Sequence, residues 1–295
     1  MKRYIAIVAF CALTISASAQ TMSFLNINPD AGTAGLAGAG VARKADAYVY
    51  SNNVAAAALS DRTMAIALGY GKWQPKAADN GLLSASGFYR ISDRIAVNAN
   101  FASFSYKEYT VMSESGRNGG TFTPKEMTFG LGLSYAFTDA LAAGVNLKMA
   151  SSSLASDAKA SAFAADIALK YEKDAFNAGL SVNNLGGKVN YGGSDYSLPM
   201  LVKGGASYTF YGITAIAELS YLNSGIMAGV GAEYNIKDIA FVRLGYHYGD
   251  SEKTIPSYAS AGLGLNFAGF EVSAAYLISS GALKSSMFFT LGYSF

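Results

Sequence analysis

Histidine and cysteine, the residues most often used for acid–base, nucleophilic and metal chemistry, occur once each in this sequence, as His247 and Cys11. A single histidine excludes a multi-histidine metal centre, and a serine–histidine pair would have to use His247. In "IAFVRLGYHY", Val242, Leu244, Tyr246 and Tyr248 alternate with Arg243, Gly245 and His247, so the imidazole shares a face with Arg243. A lipid-hydrolysing pair would need the opposite, apolar face. His247 is therefore expected to be a hydrogen-bonded filler. The glycine-rich stretches are followed by no Lys-Ser/Thr and lie in no βαβ unit, so they are not phosphate loops. The chain is expected to have no enzymatic activity, no bound metal and no cofactor.

The remaining polar side chains follow a positional rule. Lys148, Asp166, Lys170, Lys203, Glu218, Glu233, Arg243 and Glu271 nearly all fall on the small-residue face of an alternating segment, as do Asn98, Asn100, Asn146, Asn177 and Asn266. On a lipid-facing wall a mid-membrane Lys or Arg costs about 2–4 kcal/mol, so alternation turns these groups inward. A wide ion-selective pore favours a ring of one sign. Mixed signs among Ala and Gly predict a lumen crossed by ion pairs and partly filled by another segment. The tight turn at Tyr211-Gly212 sets Lys203 and Glu218 roughly opposite, as an expected cross-strand pair.

What positions these groups is legible in composition and periodicity. Charged residues make up 14% of the 295-residue chain, against roughly 25% in ordinary soluble domains. "MKRYIAIVAFCALTISASAQ" reads as a secretory signal peptide over residues 1–19: Lys2 and Arg3, an apolar Tyr4–Ile15, and a small-residue cleavage site. Its removal takes Cys11 and leaves 20 cationic against 20 acidic residues. A neutral chain has no electrostatic case for nucleic-acid binding. Residues 20–62 are rich in glycine and alanine, without period-2 alternation, and read as a coil with one short helix. From residue 63 to residue 295 alternation dominates. "TMAIALGYGK" puts Met64, Ile66, Leu68 and Tyr70 on one face, and "TFGLGLSYAF" does the same with Phe129, Leu131, Leu133, Tyr135 and Phe137.

About fourteen such segments of roughly ten residues occur, the length and even number of an antiparallel transmembrane barrel. The connections alternate between short turns (Ser92-Asp93, Thr138-Asp139, Glu172–Asp174, Tyr211-Gly212, Lys237-Asp238, Ala268-Gly269) and longer loops, notably 107–121, 151–159, 183–198 and 249–257, with a short exception at Asn223–Gly225. Outer-membrane barrels keep their short turns in the periplasm. Tyr89, Phe137, Tyr171, Phe210, Tyr234 and Phe267 mark one aromatic girdle, and Tyr70, Tyr106, Tyr221, Tyr246 and Tyr276 the other. Phe295, ending the alternating run through Tyr293, is expected to close the last strand on the first. The two aromatics also resemble the signal read by the barrel assembly machinery. Both termini are expected on the periplasmic side.

Several motifs together resemble the PorV/PorQ proteins of Bacteroidetes-type bacteria: "FLNINPDAGTAGLAGAGVA" (24–42), "DAYVYSNNVAAAAL" (46–59), "YGKWQP" (70–75), "SVNNLGGKV" (181–189), "LPMLVKGGASY" (198–208) and "VRLGYHYG" (242–249). The resemblance implies a FadL-like barrel of fourteen strands with an N-terminal hatch inside. It also implies a role in type IX secretion, binding exported cargo at the outer membrane, with partners among cargo and secretion components. The alternative it carries is a passive channel for hydrophobic molecules, with a hydrophobic ligand or detergent in the lumen. Where the family has Asn-Pro-Ala in the hatch, this chain has Asn53-Val54-Ala55, without proline's fixed φ.

Overall fold

The structure, a computed structural model, describes residues 21–112, 118–191, 193–222 and 225–295. The expected signal peptide, with Cys11, lies outside the described residues, as does most of the expected turn at Asn223–Gly225. The alternating segments form β1 (Met64–Trp73), β2 (Asn80–Arg90), β3 (Ile95–Ser105), β6 (Lys125–Ala136), β7 (Leu141–Ser153), β8 (Lys159–Lys173) and β9 (Phe176–Gly186). They continue as β12 (Leu201–Phe210), β13 (Ile213–Leu222), β14 (Gly225–Ile236), β15 (Ala240–Tyr248), β16 (Tyr258–Phe267), β17 (Phe270–Ile278) and β18 (Met287–Ser294). These fourteen close into one barrel in the order β1-β18-β17-β16-β15-β14-β13-β12-β9-β8-β7-β6-β3-β2, every neighbour antiparallel. Two of the long connections carry hairpins of their own, β4 (Tyr109–Met112) with β5 (Asn118–Phe122), and β10 (Lys188–Tyr191) with β11 (Ser194–Ser197).

Lipid outside the barrel dictates which way each residue points. Leu68 is 61% exposed while its neighbour Ala67 is 7% exposed, and the same contrast repeats around the wall. Short turns suit the twist of the strands. Tyr211-Gly212, Lys237-Asp238 and Ala268-Gly269 each have positive φ at both positions, as two-residue hairpin turns of the favoured hand require. The girdle residues Tyr89, Phe137, Phe210, Tyr234 and Phe267 are exposed at one rim, and Tyr70, Tyr246 and Tyr276 toward the other. Tyr106 is a correction. It lies just past the end of β3 and turns inward, packing edge-on against Phe104 at 4.9 Å and donating to Glu126 Oε2 at 2.6 Å.

The barrel is sealed where its first and last strands meet. Leu68 stands opposite Leu291, and Met64 and Phe295 exchange backbone hydrogen bonds of 3.0 and 3.1 Å. One irregularity interrupts the wall, between Ala165 and Ile167 on the β8–β9 ladder. There Asn184 takes a left-handed φ of 61°, and its N–H donates to Asp166 Oδ1 at 2.8 Å instead of to a ladder carbonyl.

Residues 21–62 lie within this wall. Their elements are short: a 3-10 turn (Ser23–Asn26), α1 (Ala31–Gly35), α2 (Val49–Asn52) and a second 3-10 turn (Val54–Leu59). The segment enters at the long-loop end, where Thr21 N donates to Ser197 O at 3.3 Å. It descends until Val54, Ala55 and Ala58 pack on Ala136, Ala142 and Ala168 near the short turns, then joins β1. Thr21 and Phe295 thus sit at opposite ends of the barrel. The expected position of the N-terminus lies outside the described residues; between its two ends the segment folds back on itself, Asn28 Nδ2 donating to Asn52 Oδ1 at 2.7 Å.

Phe295 supplies both a backbone pair at the seam and an aromatic side chain at the rim, packed 6.1 Å from Tyr293. Deleting it, or Phe295→Asp, is expected to lower the amount of folded, heat-modifiable barrel in outer membranes, read by gel shift. An unchanged level would show that the seam forms without it.

Candidate functional site: a wall that clamps the N-terminal segment

A coil inside a barrel has peptide groups that neither helix nor sheet satisfies, and burying them unpaired would cost about 1–3 kcal/mol each. The inward side chains of the wall meet that need. Thr290 Oγ1 accepts from Ala31 N at 3.0 Å. The Ser260 hydroxyl accepts from Ala37 N and donates to Gly35 O, both at 2.9 Å. Glu218 Oε2 accepts from Gly40 N at 2.9 Å and Val41 N at 2.8 Å. The Lys170 ammonium donates to Ala42 O and Arg43 O at 2.8 and 2.6 Å, and Ser207 adds a third bond to that turn. Elsewhere on the wall, Ser86 Oγ donates to Ala47 O at 2.6 Å, and Lys203 Nζ to Ser51 O at 2.7 Å and Asn52 O at 3.3 Å.

The expected pairing of Lys203 with Glu218 is therefore corrected. In the ladder Lys203 stands opposite Ser220, and Glu218 opposite Gly205. Each side chain is taken up by a different stretch of segment backbone, an acceptor for exposed N–H groups and a donor for exposed carbonyls. The segment lies between wall groups of opposite sign and replaces the partner each would otherwise need.

Other predicted residues pair as the mixed charges suggest. Lys148 Nζ meets Asp166 Oδ1 at 2.7 Å, and Arg243 pairs with Glu233 and, at 3.6 Å, with Glu271. Asn98 and Asn100 donate to Asn146 Oδ1 at 3.2 and 2.9 Å, and Asn146 passes the chain on to Asp166 Oδ2 at 3.0 Å. These amides reach across an intervening strand because that strand carries glycine. A Cβ on Gly130 would lie 2.8 Å from Asn100 Oδ1. His247 stacks on Tyr258, with ring centroids 4.9 Å apart and planes at 15°.

Asn53, the residue before the position where the family carries proline, anchors this corner. Its Oδ1 accepts from Ala55 N at 3.1 Å, capping the second 3-10 turn, while Nδ2 donates to Val41 O at 3.0 Å and Leu169 O at 2.9 Å. Val54 is fully buried at the first position of that turn, where proline is readily accommodated. The cap and the packing fix this corner without a ring.

Sequence reasoning missed the centre of the segment itself. Arg43 bridges Asp30 and Asp46 (the latter at 2.8 Å) and donates to Thr33 Oγ1 at 2.7 Å. Asp30 also caps α1 through Gly32 N and Thr33 N. One guanidinium between two carboxylates leaves an excess negative charge. Burial first, and Asp30 second, push the Asp46 carboxyl up to about 7 against the pull of Arg43. Burial acts on Asp30 too, but Arg43 and the Thr33 hydroxyl outweigh it and hold that carboxyl below its usual value.

With this geometry established, the chain can be placed among known proteins. A family model described as "Type IX secretion system protein PorV" matches residues 14–218, more than two thirds of the chain. The chain belongs to the PorV family. This PorV-family chain is an outer-membrane β-barrel of the type IX secretion system class, and its solved neighbours share its fold. The Ralstonia pickettii toluene transporter TbuX aligns with a TM-score of 0.66 at 11% identity, covering 93% of this chain and 99% of that one. The Pseudomonas putida toluene transporter TodX gives 0.66 at 12%, covering 89% and 96%. A Pseudomonas aeruginosa FadL homologue gives 0.61 at 14%, covering 90% and 98%. No curated protein matches the chain.

Two predictions follow from the anchors. In double-mutant cycles read by unfolding in detergent, Lys203→Ala and Glu218→Ala are expected to add within about 0.5 kcal/mol, whereas Lys148→Ala and Asp166→Ala should couple by about 0.5–3 kcal/mol. Strong coupling of the first pair would restore the direct contact. The second concerns pH. A carboxyl whose folded value is raised stabilises the fold fully below the unfolded value of about 4 and loses that contribution as pH rises through its folded value. Unfolding temperature should therefore fall from pH about 4 to about 7, and Asp46→Asn should flatten that slope. A slope unchanged in the variant would assign it to another group.

Proposed function

We propose that this barrel is a non-enzymatic accessory of type IX secretion that holds exported cargo at the outer membrane and does not conduct it. The observation that carries this reading is the clamped lumen: a segment hydrogen-bonded to β8, β12, β13, β16 and β18 occupies space that a conducted polypeptide would need. Cargo would then dock on the long-loop rim, which carries the hairpins β4–β5 and β10–β11. In this reading the short turns and Phe295 face the periplasm, and Thr21 lies toward the cell surface. Membrane lipid surrounds the wall, and the barrel assembly machinery inserts it.

One feature supports a second reading, passage of a hydrophobic small molecule. A cavity of about 110 Å³ lies beside Phe24, Trp73, Leu82, Leu277 and Phe288, inside the long-loop end of the lumen. Movement beyond it would require the anchors to break. The toluene transporters named above are likenesses of fold and carry no substrate over to this chain.

Capture experiments separate the two. A tagged chain isolated from cells is expected to retain exported proteins, and an epitope at Ser194 should be labelled on intact cells while one at Asp174 or Lys237 should not. Hydrophobic solute uptake that depends on the barrel, with no cargo retained, would favour the channel. Labelling at Asp174 would invert the barrel.

A further inference from the structure

The outward face of the wall is apolar almost everywhere, and its polar departures are gathered in one place. Among the described residues, the strands carry five serines on that face: Ser103 and Ser105 on β3, Ser151 and Ser153 on β7, and Ser161 on β8. Their direction is set by alternation with Ala102, Phe104, Ala150, Ser152 and Ala162, all buried on the inward side. None of the five hydroxyls has a hydrogen-bond partner among the described residues. β6, which lies between β3 and β7 in the barrel, adds the exposed Lys125, and β8 adds the exposed Lys159. Neither lysine is in an ion pair among the described residues, although Glu108 and Asp157 stand in the adjoining loops.

Strand register sets these side chains in rows. Ser105, Lys125, Ser153 and Lys159 stand directly opposite one another across β3, β6, β7 and β8. The next row toward the membrane centre is Ser103, Met127, Ser151 and Ser161, and the one below it is Phe101, Phe129, Met149 and Phe163. Depth follows from strand length. Lys125 is twelve residues from Phe137, and Lys159 twelve from Tyr171, both aromatics of the short-turn girdle. At about 3.3 Å per residue and a tilt of about 40°, that is about 30 Å, just beyond an apolar band about 25 Å tall. The top row therefore lies among headgroups and the phenylalanine row among acyl chains. The far side of the barrel is different: at the same end β13, β14, β15 and β17 present Tyr221, Ile226, Tyr246 and Ile278. Lys72, the other outward strand lysine at that end, is taken up by Asp79 at 2.8 Å.

We propose that this patch binds a phosphorylated, acylated sugar lipid of the outer leaflet, the lipid A part of lipopolysaccharide. Its phosphate meets Lys125 and Lys159, its sugar the serine hydroxyls, and its acyl chains Phe129, Met149 and Phe163. Each row selects one part of that occupant. Two unpaired ammonium groups, with no carboxylate on the same face, favour phosphate. Hydroxyls turned toward a membrane need partners at headgroup depth, and a sugar carrying hydroxyl and amide groups supplies several where a bare phosphate ester supplies few. The apolar row below continues into the lipid-facing wall. The proposal rests on the orientation given above, with the long loops at the cell surface, and makes no use of cargo binding.

The test is made in detergent, where orientation plays no part, so its failure is distinct from labelling at Asp174, which would put the patch in the wrong leaflet. The full mature chain, stripped of lipid, is offered lipid A, dephosphorylated lipid A or phosphatidic acid, with retained lipid read by native mass spectrometry. Lipid A should be retained about 25-fold better than its dephosphorylated form, about fivefold for each lysine. It should also be retained severalfold better than phosphatidic acid. Lys125→Gln with Lys159→Gln should reduce lipid A to the dephosphorylated level, whereas Lys173→Gln, at the opposite rim, should leave it unchanged. Ser103→Ala with Ser151→Ala and Ser161→Ala should remove the preference over phosphatidic acid. Equal retention of lipid A and its dephosphorylated form by the unaltered chain would overturn the proposal. So would equal retention of lipid A and phosphatidic acid, the mark of charge attraction alone, or undiminished lipid A on the lysine variant. Heat-modifiability checks that each variant is folded; if one is not, the three lipids on the unaltered chain decide alone.

Discussion

Peptide groups buried inside the barrel have to find partners, and that constraint organises the rest of the molecule. A segment with two one-turn helices and two 3-10 turns satisfies few of its own N–H and C=O groups. The segment is buried inside the wall, so the wall must answer. Glu218, Lys170, Lys203, Ser207, Ser260 and Thr290 are the answer, each on an inward position and each bonded to segment backbone. The charged ones are bonded to peptide dipoles of the complementary sign. This explains how unpaired acids and bases coexist on one inner surface without a countercharge alongside.

Close approach is the second half of that arrangement. A backbone can hydrogen-bond to a wall side chain only if the neighbouring wall positions are small. The inward Ala, Gly and Ser residues of the strands provide that space, as at Gly144, where a Cβ would lie 2.9 Å from Ala55 N. The outside of the same strands obeys lipid, and the two faces alternate because strand geometry gives no other choice. One period-2 pattern thus serves two solvents, hydrocarbon outside and a buried polypeptide inside.

The wall was readable from the sequence because both faces repeat. All fourteen segments lie where alternation places them, and Lys148 with Asp166, and Arg243 with Glu233, face the lumen as their positions require. The partners of Lys203 and Glu218 were not readable. A two-residue turn implies a nearby pair, but register and the path of residues 21–62 decide the contact, and an aperiodic coil leaves no periodic trace of its path. Arg43, Asp30 and Asp46 were missed for the same reason. Tyr106 was misplaced because it sits one residue beyond the strand, where alternation no longer fixes direction.

The central claim is that residues 21–62 are part of the folded barrel, not a loose stopper. Hydrogen exchange at the amides of Ala37, Gly40 and Val41 in the intact detergent-solubilised chain tests it most directly, since these N–H groups bond to Ser260 and Glu218 of the wall. The account predicts protection comparable to the wall amides, with exchange only when the barrel itself opens. Rapid exchange at these three positions, while wall amides such as those of β13 stay protected, would contradict it.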